Sequence, residues 1–227
     1  MLSTVPFYVS VIFMLTTLTT LLLIYFAVKR VSPEANVILI LLCVWIFITG
    51  MLALQGFFSN TNVLPPRLMF AVILTLLVII ILFKNQSSRE FLDRLPLSNI
   101  TYLNIVRVPV EFVLFWLFTY KAVPELMTFE GRNFDILAGF TAPIMGYLFF
   151  TKKILSRKAL LIWNFICLGL LLNIVVNAIL SAPFPFQKFA FDQPNVGVLY
   201  FPFIWLPVFI VPVILLGHLV SIRQLLK

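Results

Sequence analysis

The chain has 227 residues, 62% of them hydrophobic and 11% charged, and a net charge of +8. Soluble domains carry about 25% charged residues, so a water-facing surface cannot be drawn over this chain. A cytosolic enzyme, a secreted disulfide domain and a disordered protein are excluded. What remains is an all-α polytopic membrane protein, a bundle of transmembrane helices.

About 20 apolar residues cross the hydrocarbon core, and seven segments approach that length. The predicted spans are 6–28, 35–58, 68–83, 98–120, 135–151, 159–181 and 201–222. The chain reads as one integral membrane domain, because no connection is long enough to fold as a soluble domain. The first span has no basic residue before it and no small-residue cleavage site after it, so it reads as an anchor rather than a cleaved leader. Its threonines, Thr16, Thr17, Thr19 and Thr20, are residues that bond back to their own helix; a polar pore lining is the other reading.

The third and fifth spans are short, and the fourth has a polar first half. Within the fourth, Arg107 and Glu111 lie one turn apart on one helix face. Near the bilayer centre each charge costs about 2.5–3.5 kcal/mol even on the lenient insertion scale. An intramembrane pair of this kind is read as a functional site by default. Two further readings stay open, a structural ion pair and Arg107 snorkelling to the headgroups. Pro109 stands between the two charges and has no N–H for the carbonyl of Ile105.

The fifth span carries Ala138, Ala142 and Gly146 at steps of four, a small-residue stripe that lets another helix approach closely. In the sixth, Asn173 and Asn177 share a face with Gly169, which is expected to point into the bundle; Asn164 falls nearly opposite and is expected at the inner interface. The seventh has Pro202, Pro207 and Pro212 at steps of five, then His218. His218 reads as a proton relay or, more simply, as a packing or interfacial residue.

Charge placement sets the expected orientation. With the N-terminus outside and the C-terminus inside, the inner loops hold Lys29, Arg30, Lys84, Arg89, Arg94, Lys152, Lys153, Arg157, Lys158, Arg223 and Lys227. The outer loops hold Arg67, Lys121, Arg132 and Lys188, balanced by acids. The entire net charge therefore falls on one side, and the basic composition needs only anionic lipid headgroups to explain it. Nucleic acid is not an expected partner. The sequons at Asn85 and Asn99 face inward, which fits a bacterial inner membrane.

Two long connections lie outside. The first, KAVPELMTFEGRNF at 121–134, brings Glu125, Glu130 and Arg132 around Gly131 just before Asp135, which is placed to cap the fifth helix. The second, at 182–200, is rich in Phe and Pro and reads as an aromatic belt or a lid over a cavity. The inner connection 84–97 reads as an amphipathic interfacial helix.

A single His and two scattered Cys, Cys43 and Cys167, leave no metal-ligand spacing, so no metal and no cofactor are expected. A Schiff-base retinal is excluded because the last span contains no lysine. IYFAVKRVS from Ile24 and LFFTKKILS from Leu148 look alike and suggest a weak internal repeat. Three functional classes follow: a small solute carrier or ligand-binding bundle using Arg107, Glu111, Asn173, Asn177 and His218; a non-catalytic sensor or assembly partner using the outer-loop residues; and an intramembrane lipid-modifying enzyme, for which the catalytic groups are missing. A small-molecule ligand, a membrane-protein partner and a second copy of the chain all stay open as partners.

Overall fold

The computed structural model describes residues 2, 4–61 and 63–227, and among them the only regular elements are helices. They are α1 (Phe7–Lys29), α2 (Ala35–Leu54), α3 (Arg67–Lys84), α4 (Gln86–Arg94), α5 (Leu97–Leu103), α6 (Arg107–Thr119), α7 (Ile136–Gly146), α8 (Arg157–Leu180) and α9 (Val211–Leu226). A short 3-10 turn, Asn104–Val106, joins α5 and α6 into one rod, and π-type turns extend α7 to Thr151 and begin α9 at Leu206. Among the described residues, six helices are long and apolar enough to cross a membrane: Phe7–Lys29, Ala35–Leu54, Arg67–Lys84, Leu97–Thr119, Arg157–Leu180 and Leu206–Leu226. The segment Ile136–Thr151, expected as a seventh, is apolar but shorter.

Local signals explain the boundaries. Pro6, Pro66 and Pro96 stand immediately before α1, α3 and α5, where a missing N–H costs nothing. Asn85 turns extended between α3 and α4 and accepts the amide of Ser87 at 3.0 Å, and Ser156 caps α8 through the amide of Ala159 at 3.2 Å. The four threonines of α1 each donate to the carbonyl four residues earlier, so they bond within their own helix.

Burial ranks the helices. Leu97–Thr119 and Leu206–Leu226 have 61% and 56% of their apolar windows buried, against 17% for α2 and 11% for α3. The α5–α6 rod and α9 are therefore the centre of the bundle, and α2 and α3 are its periphery. Two indoles fasten α2. Pro212 has no N–H for the carbonyl of Val208, and Trp45 Nε1 donates to that oxygen at 2.9 Å. In return Trp205 Nε1 donates to the carbonyl of Ile46 at 2.9 Å. Its ring lies over Gly50, where a Cβ would stand 3.1 Å from Trp205 Cζ2.

The small-residue stripe of α7 does what its spacing predicts. Ala138, Ala142 and Gly146 are buried, and a Cβ at Gly146 would lie 2.7 Å from the Tyr102 ring. One turn before Pro143, a Cβ at Gly139 would lie 2.6 Å from Val108. Thus α7 runs in close contact along the α5–α6 rod.

The two ends of the bundle differ. At one end Arg30 donates to Asn99 at 3.0 Å, Asp93 pairs with Arg223 and Lys227, and Arg157 donates to the carbonyls of Leu225 and Gln224. This is the basic end. At the other, the loop end, Gln193 Nε2 donates to the carbonyls of Phe118 and Val123, and the amides of Val196 and Gly197 donate to Ala122. The amphipathic helix expected in 84–97 is α4, which buries Leu92 and lies at the basic end.

Candidate functional site

The connection between α6 and α7 does not stay at the loop end. Phe129 stacks on Phe115 at 5.1 Å, Asn133 bonds Glu111, Asp135 bonds Arg107, and Gly146 meets the Tyr102 ring. Each partner on the α5–α6 rod lies further from its loop end. From Thr119 to Arg107 that descent is about 18 Å at the usual helical rise. The segment 120–135 therefore re-enters the bundle along α6, and this is why α7 is short. Irregular backbone at membrane depth is tolerated where protein surrounds it. Here its polar groups are met internally: the amides of Met127, Thr128, Gly131 and Asn133 donate to Pro124, Glu125 and Thr128 carbonyls. Gly131 is required by space, since a Cβ would stand 2.3 Å from the Glu125 carbonyl oxygen.

The returning segment completes a buried polar chain across α5–α6, α7, α8 and α9. Arg107 Nε donates to Asp135 Oδ2 at 2.6 Å and its Nη2 pairs with Asp135 Oδ1. Nη2 also donates to the carbonyl of Cys167 at 3.1 Å, and Nη1 donates to Asn104 Oδ1 at 3.2 Å and to His218 Nε2 at 3.1 Å. Guanidinium has five N–H groups and no acceptor, so all five are engaged by protein. Because Arg107 only donates, His218 Nε2 accepts, and its Nδ1–H donates to Asn164 Oδ1 at 3.0 Å. Asn164 Nδ2 closes the chain on the Leu160 carbonyl at 2.9 Å. On the other side Asn133 Nδ2 donates to both carboxylate oxygens of Glu111 at 2.7 Å, and Asn133 Oδ1 accepts the Asp135 amide at 3.0 Å. Arg107, Glu111, Asn133, Asp135, Asn164 and His218 are all buried.

Several expectations are corrected by this geometry. Arg107 and Glu111 are not an ion pair with each other. Helical side chains lean toward the helix N-terminus, which sends Arg107 toward Asn104 and His218 and away from Glu111; the returning loop then supplies Asp135. Snorkelling is excluded by the same bonds. Asp135 is neither an outer-loop residue nor a side-chain cap, because its carboxylate is spent on Arg107. Asn173 does not point into the bundle: it is exposed and donates to the Arg132 carbonyl at 2.8 Å, and Gly169 on the same face meets nothing within 4 Å. Asn177 is buried and donates to Asn173 at 3.3 Å. Asn164, expected at the interface, is in the chain. Asn133 was missed; its one sequence signal is its place two residues before Asp135, where an Asn side chain commonly bonds the backbone two residues on.

Glu125, Glu130 and Arg132 stay exposed. Glu125, Leu126, Gly131 and Arg132 join Phe118, Asp192 and Gln193 around a pocket of about 390 Å³. Among the described residues no ion pair joins Glu125, Arg132 or Asp192 to any partner. A second cavity, about 510 Å³, is an apolar groove between α1 and the α5–α6 rod, bordered by Ile12, Leu15, Tyr102 and Pro109. Neither cavity is lined by Arg107, Asp135 or His218. Among the described residues no three His, Cys, Asp or Glu side chains are grouped to hold a metal.

The family model for a domain of unknown function (DUF8737) matches residues 63–226. The chain belongs to this family. The matched stretch runs from before α3 to the end of α9 and contains the whole buried chain and the loop-end pocket. No curated protein and no solved structure matches the chain.

Proposed function

We propose that this protein is a non-catalytic binding bundle of a bacterial inner membrane, with seven spans and the loop end outside, that holds a small polar ligand at its outer face. The observation that carries this reading is a division of labour between two sets of charges. All five N–H groups of Arg107 are consumed by protein acceptors, leaving none for a solute, while Glu125, Arg132 and Asp192 border an open pocket and have no ion-pair partner among the described residues. At about 390 Å³ the pocket falls in the range of small-molecule sites. Two carboxylates and one guanidinium suit a ligand bearing both an ammonium and an anionic group. The buried chain is then the mount that seats the re-entrant segment, whose residues Glu125, Gly131 and Arg132 form part of the pocket wall.

The carrier reading is the weaker one. Carriers place their substrate near the bilayer midplane, and the polar groups at that depth bond one another and border neither cavity. The assignment of the loop end to the outside rests on the basic residues of the opposite end.

The test is a melting-temperature screen of the purified protein against small zwitterions and their singly charged analogues. Zwitterions should raise the melting temperature, and Arg132→Ala or Asp192→Asn should abolish the rise. A screen in which no zwitterion shifts the wild type, or in which both variants respond like it, overturns the reading.

A further inference from the structure

The turn between α7 and α8 at the basic end reads TKKILSRK over 151–158, with no acid in it. It stands where two helices end, so it lies at the level of lipid headgroups. Its shape is held by the amide of Lys152 on the Tyr147 carbonyl at 3.0 Å and the amide of Ile154 on the Leu148 carbonyl at 3.1 Å. Lys153 adopts a φ of 55°.

Within and beside this turn the basic side chains fall into two groups. Arg223 and Lys227 are taken up by Asp93, and Arg157 caps the last carbonyls of α9. Lys152 rests 5.8 Å from the centre of the Tyr147 ring, but Lys152, Lys153 and Lys158 are exposed and, among the described residues, have no acidic partner. Among them stands Ile154, 73% exposed. Cations that the protein leaves unneutralised, around an apolar side chain at headgroup depth, match a molecule with a phosphate above and a hydrocarbon tail below.

We infer that this turn is a binding site for an anionic phospholipid, with Lys152, Lys153 and Lys158 on the headgroup and Ile154 against the acyl chain. The inference is independent of the loop-end pocket. Each basic residue near a charged membrane surface is worth roughly a fivefold change in binding, so the three lysines dominate the selectivity.

The test is native mass spectrometry of the full chain titrated with phosphatidylglycerol or phosphatidylcholine. The wild type should retain phosphatidylglycerol in preference. The variant Lys152→Gln/Lys153→Gln/Lys158→Gln should lose that preference by more than tenfold, while Lys29→Gln/Lys84→Gln/Arg94→Gln, with the same charge removed elsewhere at that end, should keep most of it. Ile154→Ser should weaken lipid retention with all charges intact. Equal losses in the two triple variants would show only a diffuse attraction and overturn the site. Displacement of the lipid by millimolar inorganic phosphate, or an unchanged Ile154→Ser, would show an anion site without a lipid and overturn it equally.

Discussion

Arg107 and Asp135, 28 residues apart in the chain, form a two-point ion pair inside the helix bundle that ties the start of α7 to the middle of the α5–α6 rod. Both side chains are almost fully shielded, at 3% and 6% exposure. The pair fastens the inner end of the segment 120–135 at the level of Arg107.

Removing one partner of a buried pair strands the other and costs about 3–5 kcal/mol, whereas replacing both is often neutral or stabilising. Arg107→Leu and Asp135→Leu should each lower the melting temperature and yield in detergent, and the double Leu variant should recover much of the loss. A cycle between Arg107 and Glu111 should show a smaller coupling than one between Arg107 and Asp135. The reverse order would restore the i, i+4 pairing.

Asn164 holds His218, which in turn accepts from Arg107. Asn164→Leu leaves the His218 Nδ1–H without an acceptor in a buried site, at a cost of about 1–3 kcal/mol. Chemical denaturation in mixed micelles measures it. A silent substitution would detach Asn164 from the chain and return it to the interface.

The indole of Trp45 replaces the donor that Pro212 lacks. Trp45→Phe should destabilise by about 0.5–1.5 kcal/mol, and the effect should shrink in a Pro212→Ala background, where residue 212 regains an N–H. Equal effects in both backgrounds would show that the indole contributes by packing alone.

Asp93 lies on α4, outside the spans, and hydrogen bonds from Arg223 and then Lys227 hold its carboxyl below the usual carboxylate range. A carboxylate with a depressed folded pKa contributes stability that is present above its unfolded value and lost as pH falls through the folded one. Asp93→Asn should therefore lower the melting temperature at neutral pH. The difference from wild type should begin to close as pH drops below about 4 and vanish in stronger acid. A difference that stayed constant across that window would mean that the pairing does not depend on the charge.

Orientation can be read by cysteine labelling in a Cys43→Ser background, Cys167 being buried. Glu130→Cys and Asp192→Cys, both exposed at the loop end, should react from outside in intact cells, and Ser156→Cys only after permeabilisation. Asn195 is an unsuitable reporter although it sits in the same loop, because it is 1% exposed. Outside reaction at Ser156 would invert the bundle.

The last connection shows the limit of a linear reading. Its Phe and Pro residues announce an interfacial loop, but nothing in their order tells that Gln193 will reach two carbonyls at the end of α6, or that Asn195 will be enclosed. Those outcomes depend on which backbone lies opposite.

The all-helical class, the helices long and apolar enough to cross a membrane and the segregation of basic residues to one end were all legible in the sequence alone, because each follows from the composition of local stretches. The small-residue face of α7 was legible for the same reason: Ala138, Ala142 and Gly146 mark a close approach whatever helix makes it. The identity of that helix, the descent of 120–135 and the choice of Asp135 over Glu111 as the partner of Arg107 were decided only by tertiary structure. Spacing on one helix states which side chains share a face, but a buried guanidinium must satisfy all five N–H groups, and four of its five acceptors arrive from outside its own i, i+4 neighbourhood: Asp135 with both oxygens, Cys167 and His218.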